Sequence, residues 1–369
     1  MKYYIISGEA SGDLHASNLM RHLKQKDAEM NVRAWGGDLM EAQGATLVKH
    51  YKDLAFMGFL EVILNLKIIL GNLKLCKNDI LEFQPDALIL VDYPGFNMRI
   101  AKFAKQHNIP VYYYISPQVW AWKKNRVFDI KKYVTKLYSI LPFEKEFYAQ
   151  YDYEVEYLGH PLLDAVSSYK KTPEEKPIWK QEGRPLVALL PGSRVQELNK
   201  MLPKMLEVEK QFPNCDFIIA GVLALGDDFY QSFLKNSSIK VVYNKTYPLF
   251  EQADAALVSS GTATLETALF NVPQVVCYQT SKLSFAIAKL LVNIKYISLV
   301  NLISDKEIVK ELLQDDLTIE NMVAELKTIL LDDKAKQMQK EYAELRLLLG
   351  GIGASERVAD SIYKDMRDA

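Results

Sequence analysis

Short runs of β-branched and aromatic residues alternate along the chain with longer segments in which apolar residues recur at helical spacing. The run YYIIS at residues 3–7 precedes a segment with Ala16, Leu19, Met20 and Leu23 on one helix face, at i, i+3, i+4 and i+7. Strands that alternate with helices in this way are typical of α/β proteins with parallel sheets. The pattern therefore predicts a strand and then a helix at the start of the chain.

The same alternation predicts two series of strands, one in each half of the chain. The first series continues with residues 31–35, 86–92, 110–116, 136–140 and 153–159. The second series comprises 185–194 with its turn, 216–220, 239–243, 254–260 and 273–278. Helices are predicted near 58–82 and 97–107, and the last fifty or so residues are predicted to be helical with a break at 349–355.

A charged segment with neither periodicity separates the two series. Residues 167–184 contain two prolines and are predicted to be a linker. We therefore expect two doubly wound Rossmann-like α/β domains facing a central cleft, 1–166 and 185–349, with the C-terminal helices 350–369 joining the first. Ligands of such sheets bind beyond the carboxyl ends of the strands, so candidate chemistry is expected there.

Composition narrows the class of protein without identifying it. The 369 residues are 49% hydrophobic and 25% charged, as in ordinary globular domains, and a net charge of −1 gives no reason to expect a nucleic acid as partner. The three cysteines are far apart and the start lacks the apolar core of a signal peptide, which predicts a reducing, cytoplasmic location. No run of 18 uncharged apolar residues predicts a membrane span.

Two loops in the second half place small polar residues before a helix. In VSSGTATLETALF at 258–270 a predicted strand ends at Ser260, Gly261 and Thr262, and backbone N–H groups at a helix start can bind a diphosphate. Glu266 lies one turn into that helix, where it can accept hydrogen bonds from two ribose hydroxyls. The same residues also fit a capping box, so this loop alone does not decide between the two roles.

The second loop, LLPGSRVQE at 189–197, favours a nucleotide site. Gly192 and Ser193 open a helix after a strand, and Arg194 carries a planar guanidinium suited to bidentate recognition of phosphate. No Walker pattern or G-x-G-x-x-G occurs, which argues against a P-loop NTPase or a usual dinucleotide enzyme. The chain also lacks H-E-x-x-H, paired cysteines and Asp-x-Asp, so no metal site is predicted, and a departing diphosphate would depend on Arg194 and helix N-termini.

Polar groups at strand ends in the first half are acidic instead. The loop SGEASGDLH at 7–15 contains Glu9 beside Ser11 and Gly12, and its carboxylates would repel a phosphate. Asp92 ends the apolar strand ALILV and is a candidate either for a general base or for a cap of the next helix.

Further polar side chains follow later strands of this half. Ser116, Gln118 and Trp120 lie in SPQVWAW, where aromatic and nearby cationic groups can hold an amphipathic anion, or where the tryptophans belong to the core. His160 lies at a strand end just before the linker. A lone histidine is more often structural than catalytic, and this position favours a functional role only modestly.

The chain resembles the lipid-A-disaccharide synthase family, bacterial inverting glycosyltransferases of the GT-B fold, in the ordered motifs SGEASGD, MGFLEV, SPQVWAW, LPFEKEFY, GHP, LLPGSR and SGTATLE. The resemblance runs from residue 3 to about residue 313. It implies that UDP-2,3-diacylglucosamine and 2,3-diacylglucosamine 1-phosphate, or lipid X, are joined β1→6 with release of UDP in lipid A and lipopolysaccharide biosynthesis. It implies no cofactor and no metal.

The resemblance also implies that the second domain binds UDP while the first presents the acceptor. Arg194, Glu266 and Asn301 match family positions associated with the UDP-sugar. Val300 stands where the family usually has proline, so the conformation around Asn301 does not follow from the resemblance. The expected donor residues are Gly192, Ser193, Arg194, Ser260, Gly261, Thr262, Glu266 and Asn301.

Inverting transfer is a single displacement, so a base must remove the proton from the acceptor's 6-hydroxyl. Asp92 is the first candidate for this base and Glu9 is the second. The other residues expected on the acceptor side are Ser11, Gly12, Ser116, Gln118, Trp120 and His160.

Acylated substrates give the apolar segments 55–75 and 281–299 a second interpretation. Both interleave apolar residues with lysines, which suits adsorption to an anionic leaflet, although amphipathic helices packed on a core have the same pattern. We expect a cytoplasmic protein bound peripherally to the inner membrane, and a homo-oligomer stays open. The expected membrane or acyl contacts are Phe56, Met57, Phe59 and Leu60.

Two other function classes fit the same two-domain plan. A UDP-sugar 2-epimerase would also bind UDP in the second domain, but it would need no lipid-facing surface and would act on the donor alone. A non-catalytic UDP-sugar-binding module would bind UDP without turnover, and the expected convergence of Glu9, Asp92 and Arg194 on one cleft argues against it.

Overall fold

The computed structural model describes residues 1–54, 66–122, 125–171, 178–234, 237, 239–281, 285 and 295–368. The chain divides into two compact units, the first formed by Met1–Ser167 with Leu349–Ala369 and the second by Ser168–Leu348. The predicted membrane contacts Phe56, Met57, Phe59 and Leu60 lie outside the described residues, as does most of 282–294.

The first part of the chain alternates strands with helices, as its pattern predicts. Its strands are β1 (Lys2–Ser7), β2 (Asn31–Gly36), β3 (Thr46–His50), β4 (Ala87–Val91), β5 (Val111–Tyr114), β6 (Lys136–Ser139) and β7 (Glu156–Tyr157). Its helices are α1 (Ala10–Lys26), α2 (Asp38–Ala42), α3 (Leu66–Phe83), α4 (Pro94–Gln106), α5 (Val119–Trp122), α6 (Arg126–Tyr133), α7 (Glu144–Ala149) and α8 (Pro161–Lys171).

The second part repeats the plan and ends in helices. Its strands are β8 (Leu186–Leu190), β9 (Asp216–Gly221), β10 (Lys240–Tyr243), β11 (Ala255–Ser259), β12 (Gln274–Tyr278) and β13 (Lys310–Leu313). Its helices are α9 (Val195–Glu209), α10 (Gly226–Leu234), α11 (Thr246–Phe250), α12 (Thr262–Leu269), α13 (Leu299–Ser304), α14 (Ile319–Ile329) and α15 (Asp332–Leu348). The last helix, α16 (Ala354–Asp368), belongs to the first unit.

Each unit is built on one parallel sheet of the described strands. The order is β3-β2-β1-β4-β5-β6-β7 in the first unit and β10-β9-β8-β11-β12-β13 in the second. In both sheets the order reverses between two central strands, β1 and β4 or β8 and β11, and such a switch point opens a crevice at the carboxyl ends. The loops after these four strands are therefore the ones that the fold places at a ligand site.

Helices cover both faces of the first sheet, which explains its continuous apolar strands. Tyr3 and Ile5 of β1 point to the face that α1 and α16 cover, while Tyr4 and Ile6 point to the face that α3 and α4 cover. All five residues of β4 are buried. This two-sided burial fixes the strand ends from which the polar loops emerge.

The structure differs from the predicted pattern mainly at sheet edges and at the linker. The edge strands β3 and β13 were not predicted, because TLVKH and KELL are short and only partly buried. The predicted strand at 153–159 is reduced to two residues of β7, another edge strand. Helix α8 continues to Lys171, so the first five residues of the predicted linker are helical.

Candidate functional site

The two loops of the second unit that are predicted to bind an anion lie at one edge of its sheet. Strands β8 and β11 are parallel neighbours with Leu190 paired to Val258, so the loops that follow them emerge side by side. Helix α9 begins after the first loop and helix α12 after the second. The structure therefore brings together the two helix N-termini that the sequence identified separately, and their backbone N–H groups favour an anion.

Gly192 allows these loops to approach closely. Its φ is +115°, which favours glycine, and a Cβ there would lie 2.6 Å from Glu197 Oε2 and 3.4 Å from Ser259 Oγ. Ser259 is buried, and its Oγ has no hydrogen-bond partner among the described residues. The sequence pattern indicated Ser260 as a donor-site residue but not Ser259. Ser259 could have been noticed because it is the last residue of a buried strand.

Arg194 is the N-cap residue of α9 and its side chain is 62% exposed. Its Nη1 lies 3.6 Å from Glu197 Oε1, while the backbone N–H of Ser193 donates to Glu197 Oε2 at 3.3 Å. An exposed ion pair of this length contributes little to stability, so the guanidinium can exchange Glu197 for a phosphate at small cost.

Glu266 does not act as a helix cap. Its Oε1 accepts a hydrogen bond from the Tyr247 hydroxyl at 2.8 Å, and burial raises its pKa while that hydrogen bond lowers it. The N-cap residue of α12 is Gly261, which has φ +121° and no side chain that could cap the helix. Glu266 therefore has the geometry of a partly buried hydrogen-bond acceptor rather than that of a capping box.

Asn301 is placed differently from what the resemblance implies. It is fully buried: its Nδ2 donates to Val309 O at 2.8 Å and to Glu311 Oε1 at 2.9 Å, and its Oδ1 accepts from the backbone N–H groups of Ile308 and Val309. An amide makes at most about four such bonds, so the protein itself uses them all. Asn301 therefore shapes the segment 301–311.

Val300 fits this segment without the fixed φ of proline. It is a buried residue in the first turn of α13, where proline is also tolerated. The start of that helix is fixed instead by Ser298, whose Oγ accepts from Asn301 N and donates to Glu311 Oε1.

In the first unit, the loops that carry Glu9 and Asp92 are neighbours. Strands β1 and β4 are parallel, with Ser7 paired to Val91. A Cβ on Gly8 would lie 2.4 Å from the Tyr93 ring, so only glycine allows the two loops to pack this closely. Burial, together with the nearby Glu9 charge, raises the pKa of Asp92 to about 6. Asp92 is thus a carboxylate with the basicity of a general base.

Asp92 is held in an unusual backbone conformation. Asp92 and Tyr93 have φ +48° and +47°, and two consecutive left-handed residues other than glycine are uncommon. The Asp92 carbonyl accepts from Asn97 Nδ2 and from the Tyr113 hydroxyl, both at 2.7 Å. Helix α4 has Tyr93 as its N-cap residue and no side-chain cap, so Asp92 does not serve as the cap.

Ser116 and Trp120 converge on a carboxylate that the sequence reasoning did not select. Ser116 Oγ and Trp120 Nε1 donate to Glu144 Oε1 at 2.6 and 3.2 Å, and the backbone N–H groups of Ile140 and Leu141 donate to its Oε2. Burial raises the pKa of Glu144 to about 7. The clue was its place in LPFEKEFY, directly after a strand.

The hydrogen bonds to Glu144 fix the loop that carries Gln118, which is an exposed member of the predicted acceptor set. Ile115 has φ +65°, a conformation that is a genuine outlier for a β-branched residue. Strained backbone at a strand end, held by a buried carboxylate, is a common device at binding sites.

Ser11 is exposed and Gly12 is buried at the start of α1, where a Cβ on Gly12 would lie 2.9 Å from Ser7 Cβ. The neighbouring Asp13 is buried and accepts from the backbone N–H groups of Gly37, Leu39 and Met40. Asp13 therefore supports the start of α2, a structural role.

His160 is buried rather than exposed at a binding edge. Its Nδ1 accepts a hydrogen bond from the backbone N–H of Leu162, and its backbone N–H donates to Leu349 O. Its ring Nε2 has no partner among the described residues. Burial lowers the pKa of His160 to about 3 and that of neighbouring His15 to about 4, so both are neutral near pH 7. These contacts join the end of the strand series to the segment before α16.

The described residues contain neither a cluster of metal ligands nor a membrane-spanning helix. No group of three or more His, Cys, Asp or Glu side chains there is arranged to hold a metal ion. No helix in the described part of the chain is long and apolar enough to cross a membrane.

Sequence comparison finds relatives along nearly the whole chain. A family model described as Lipid-A-disaccharide synthetase matches residues 3–361. A lipid-A-disaccharide synthase of Syntrophus aciditrophicus is 37% identical over 364 residues, which cover 96% of this chain and 95% of the relative. One of Geobacter metallireducens is 37% identical over 368 residues, which cover 98% and 96%.

Solved structures share the fold at low sequence identity. The UDP-GlcNAc 2-epimerase of Neisseria meningitidis, solved with UDP-GlcNAc bound, has a TM-score of 0.68 at 14% identity and covers 99% of this chain and 100% of its own. The glycotransferase of kitacinnamycin has a TM-score of 0.63 at 14% identity and covers 99% of both chains. The predicted fold class, two parallel-sheet α/β domains of the GT-B type, is confirmed. At this identity the likeness concerns the fold alone.

Proposed function

The chain belongs to the lipid-A-disaccharide synthetase family, and from that premise we propose that its second unit binds the UDP-sugar while its first unit binds the acceptor and supplies the base. The chain is a glycosyltransferase of lipid A synthesis: it joins UDP-2,3-diacylglucosamine to 2,3-diacylglucosamine 1-phosphate through a β1→6 bond and releases UDP. The epimerase alternative has fold likeness alone in its favour.

Donor binding is assigned to the paired loops of the second unit. Arg194 offers its exposed guanidinium to the diphosphate, and the N-termini of α9 and α12 add backbone N–H donors. Glu266 accepts hydrogen bonds from ribose hydroxyls. As UDP departs, the same donors stabilise the charge that develops on the diphosphate, and this role needs no metal. Asn301 supports the donor site through the backbone of 301–311.

The observation that carries the proposed mechanism is Asp92, a partly buried carboxyl with a pKa of about 6 beside Glu9 at the switch point of its sheet. Near pH 7 it is mostly ionised, and it is basic enough to accept the proton of the acceptor's 6-hydroxyl as the new bond forms. Glu9 raises this basicity by its charge. The Ser116–Trp120 loop, fixed by Glu144, is assigned to acceptor binding.

We also propose that α3 binds the cytoplasmic face of the inner membrane. Ile68, Leu70 and Leu75 are each about half exposed, and Lys67 and Lys74 lie among them. A shallow groove of about 340 Å³ beside them is lined by apolar and basic residues. Exposed apolar side chains with interspersed lysines suit an anionic lipid surface. Acylated substrates reside in such a surface, so adsorption would bring the enzyme to both of them.

A UDP-release assay tests the function against its alternatives. UDP should appear only when the diacylated donor and the diacylated acceptor phosphate are both present. Isomerisation of the donor alone would indicate an epimerase. UDP binding without turnover on any acylated sugar would indicate a binding module.

A further inference from the structure

Tyr247 contacts Glu266 of the proposed donor site, although none of the sequence motifs includes it. It lies in α11, and its hydroxyl donates to Glu266 Oε1 at 2.8 Å. In the described part of the chain no other group donates a hydrogen bond to this carboxylate. One oxygen of Glu266 is therefore engaged from the protein side, which leaves Oε2 and the remaining lone pairs for a ligand.

The Tyr247 ring is fixed by its neighbours, so the position of its hydroxyl is fixed as well. Its centroid lies 4.9 Å from that of Phe270 and 5.2 Å from that of Tyr169, the latter in an edge-to-face arrangement. Phe270 in turn packs on Phe250 at 5.5 Å. This aromatic cluster holds the ring against rotation away from Glu266.

The hydrogen bond has two consequences for Glu266. It restricts the carboxylate to one orientation, and so reduces the conformational freedom that a ligand would otherwise have to remove. It also opposes the effect of burial, which raises the pKa of Glu266, and so favours the ionised form that only accepts hydrogen bonds.

We propose that Tyr247 is a positioning residue of the donor site: it holds Glu266 so that the carboxylate accepts both ribose hydroxyls, and it thereby makes the site selective for ribonucleotides over 2′-deoxyribonucleotides. The proposal rests on the assignment of Glu266 to the ribose under the proposed function. Tyr247 touches no reacting atom and acts through Glu266.

Calorimetric titration of the full-length protein with UDP and with 2′-deoxy-UDP tests this role. Tyr247→Phe removes one oxygen and keeps the ring in its cluster. Tyr169→Phe is the matched control, because it removes a hydroxyl of the same aromatic cluster that donates to Glu251 instead. Tyr247→Phe should weaken UDP binding by about tenfold and 2′-deoxy-UDP binding much less. Tyr169→Phe should change neither.

Equal loss of affinity for UDP and 2′-deoxy-UDP in Tyr247→Phe would overturn the proposal, since it would show general support of the fold. Glu266→Gln separates the two levels of the argument. If that variant keeps the wild-type preference for UDP, the ribose assignment of Glu266 fails and Tyr247 has no role through it. If Glu266→Gln loses the preference for UDP while Tyr247→Phe keeps it, the ribose assignment of Glu266 stands and the positioning role of Tyr247 fails.

A second variant serves if Tyr247→Phe does not fold. Glu266→Asp withdraws the carboxylate from Tyr247 and should likewise lose the preference for UDP. Retention of the preference in Glu266→Asp would contradict the proposal.

Discussion

Asp92→Asn should slow turnover and stabilise the protein at the same time. Asparagine tolerates the left-handed backbone at φ +48° and keeps the side-chain shape, so the change removes little besides the charge and the basicity. Loss of a positioned base should lower kcat by about 10²- to 10⁴-fold. The UDP dissociation constant should change by less than about twofold, because Asp92 contributes nothing to the nucleotide in this mechanism.

The stability effect follows from the pKa of Asp92. A carboxyl whose pKa is about 6 when folded, against an ordinary 3.8, favours the folded state at low pH, and this contribution is lost as the pH rises from about 4 to about 6. At pH 8 the ionised side chain therefore destabilises the fold by up to about 3 kcal/mol, at 1.36 kcal/mol per pKa unit. The amide has no such cost, so Asp92→Asn should unfold at higher urea than the wild type at pH 8, with a smaller difference at pH 4.

UDP release measures the first effect and urea unfolding at the two pH values measures the second. Asp129→Asn, which changes an exposed carboxylate of α6 in the same unit, is the control and should leave both unchanged. Turnover within about tenfold of the wild type would refute Asp92 as the base. A rise in the UDP dissociation constant would show that the division between the units is wrong. Lower stability at pH 8 would refute the inferred electrostatic cost.

Three further variants test neighbouring parts of the account. Glu9→Gln removes the charge beside Asp92, so the acidic limb of the kcat/KM profile, expected near pH 6, should move to lower pH; an unmoved limb would show that Glu9 does not tune the base. Glu144→Gln replaces a carboxylate that accepts four hydrogen bonds with an amide, whose nitrogen cannot accept any. The free energy of unfolding should therefore fall by about 2 kcal/mol. The KM for the acceptor should rise, while the affinity for UDP should stay constant. Equal losses of donor and acceptor affinity would show that Glu144 does not act specifically through the acceptor loop. Changing Ile68, Leu70 and Leu75 together to Ser should abolish co-sedimentation with phosphatidylglycerol vesicles. The control changes Leu331 and Leu347, which are exposed just before α15 and on it, to Ser and should leave vesicle binding unchanged. Equal binding by both variants would exclude α3 as the membrane surface.

The central strands, and with them the positions of the loops that follow, could be predicted because burial on both faces requires a continuous apolar run. ALILV and LVALL are continuous apolar runs that predict central strands, and they fix where the loops after them begin. Edge strands such as β13 are poorly marked, since KELL packs on one side and carries two charges. Their pairing is decided by the neighbouring strand rather than by their own pattern.

The site residues divide along the same line. Asp92 and Arg194 could be proposed from the sequence because a strand end and a helix start place them at the carboxyl ends of their sheets. Glu144, Tyr247 and the saturated hydrogen bonding of Asn301 depend on contacts between segments far apart in sequence, which no local pattern specifies. The presence of a histidine or an asparagine in a motif does not indicate whether its side chain faces a ligand or the core. His160 and Asn301 both proved to be buried.

The most direct test of the division of labour is a crystal structure with UDP bound. Every polar contact to the nucleotide should come from the second unit, with the diphosphate on Arg194 and the N-termini of α9 and α12 and the ribose on Glu266. A diphosphate bound instead at the loop 7–15, beside Glu9 and Asp92, would contradict this division of labour.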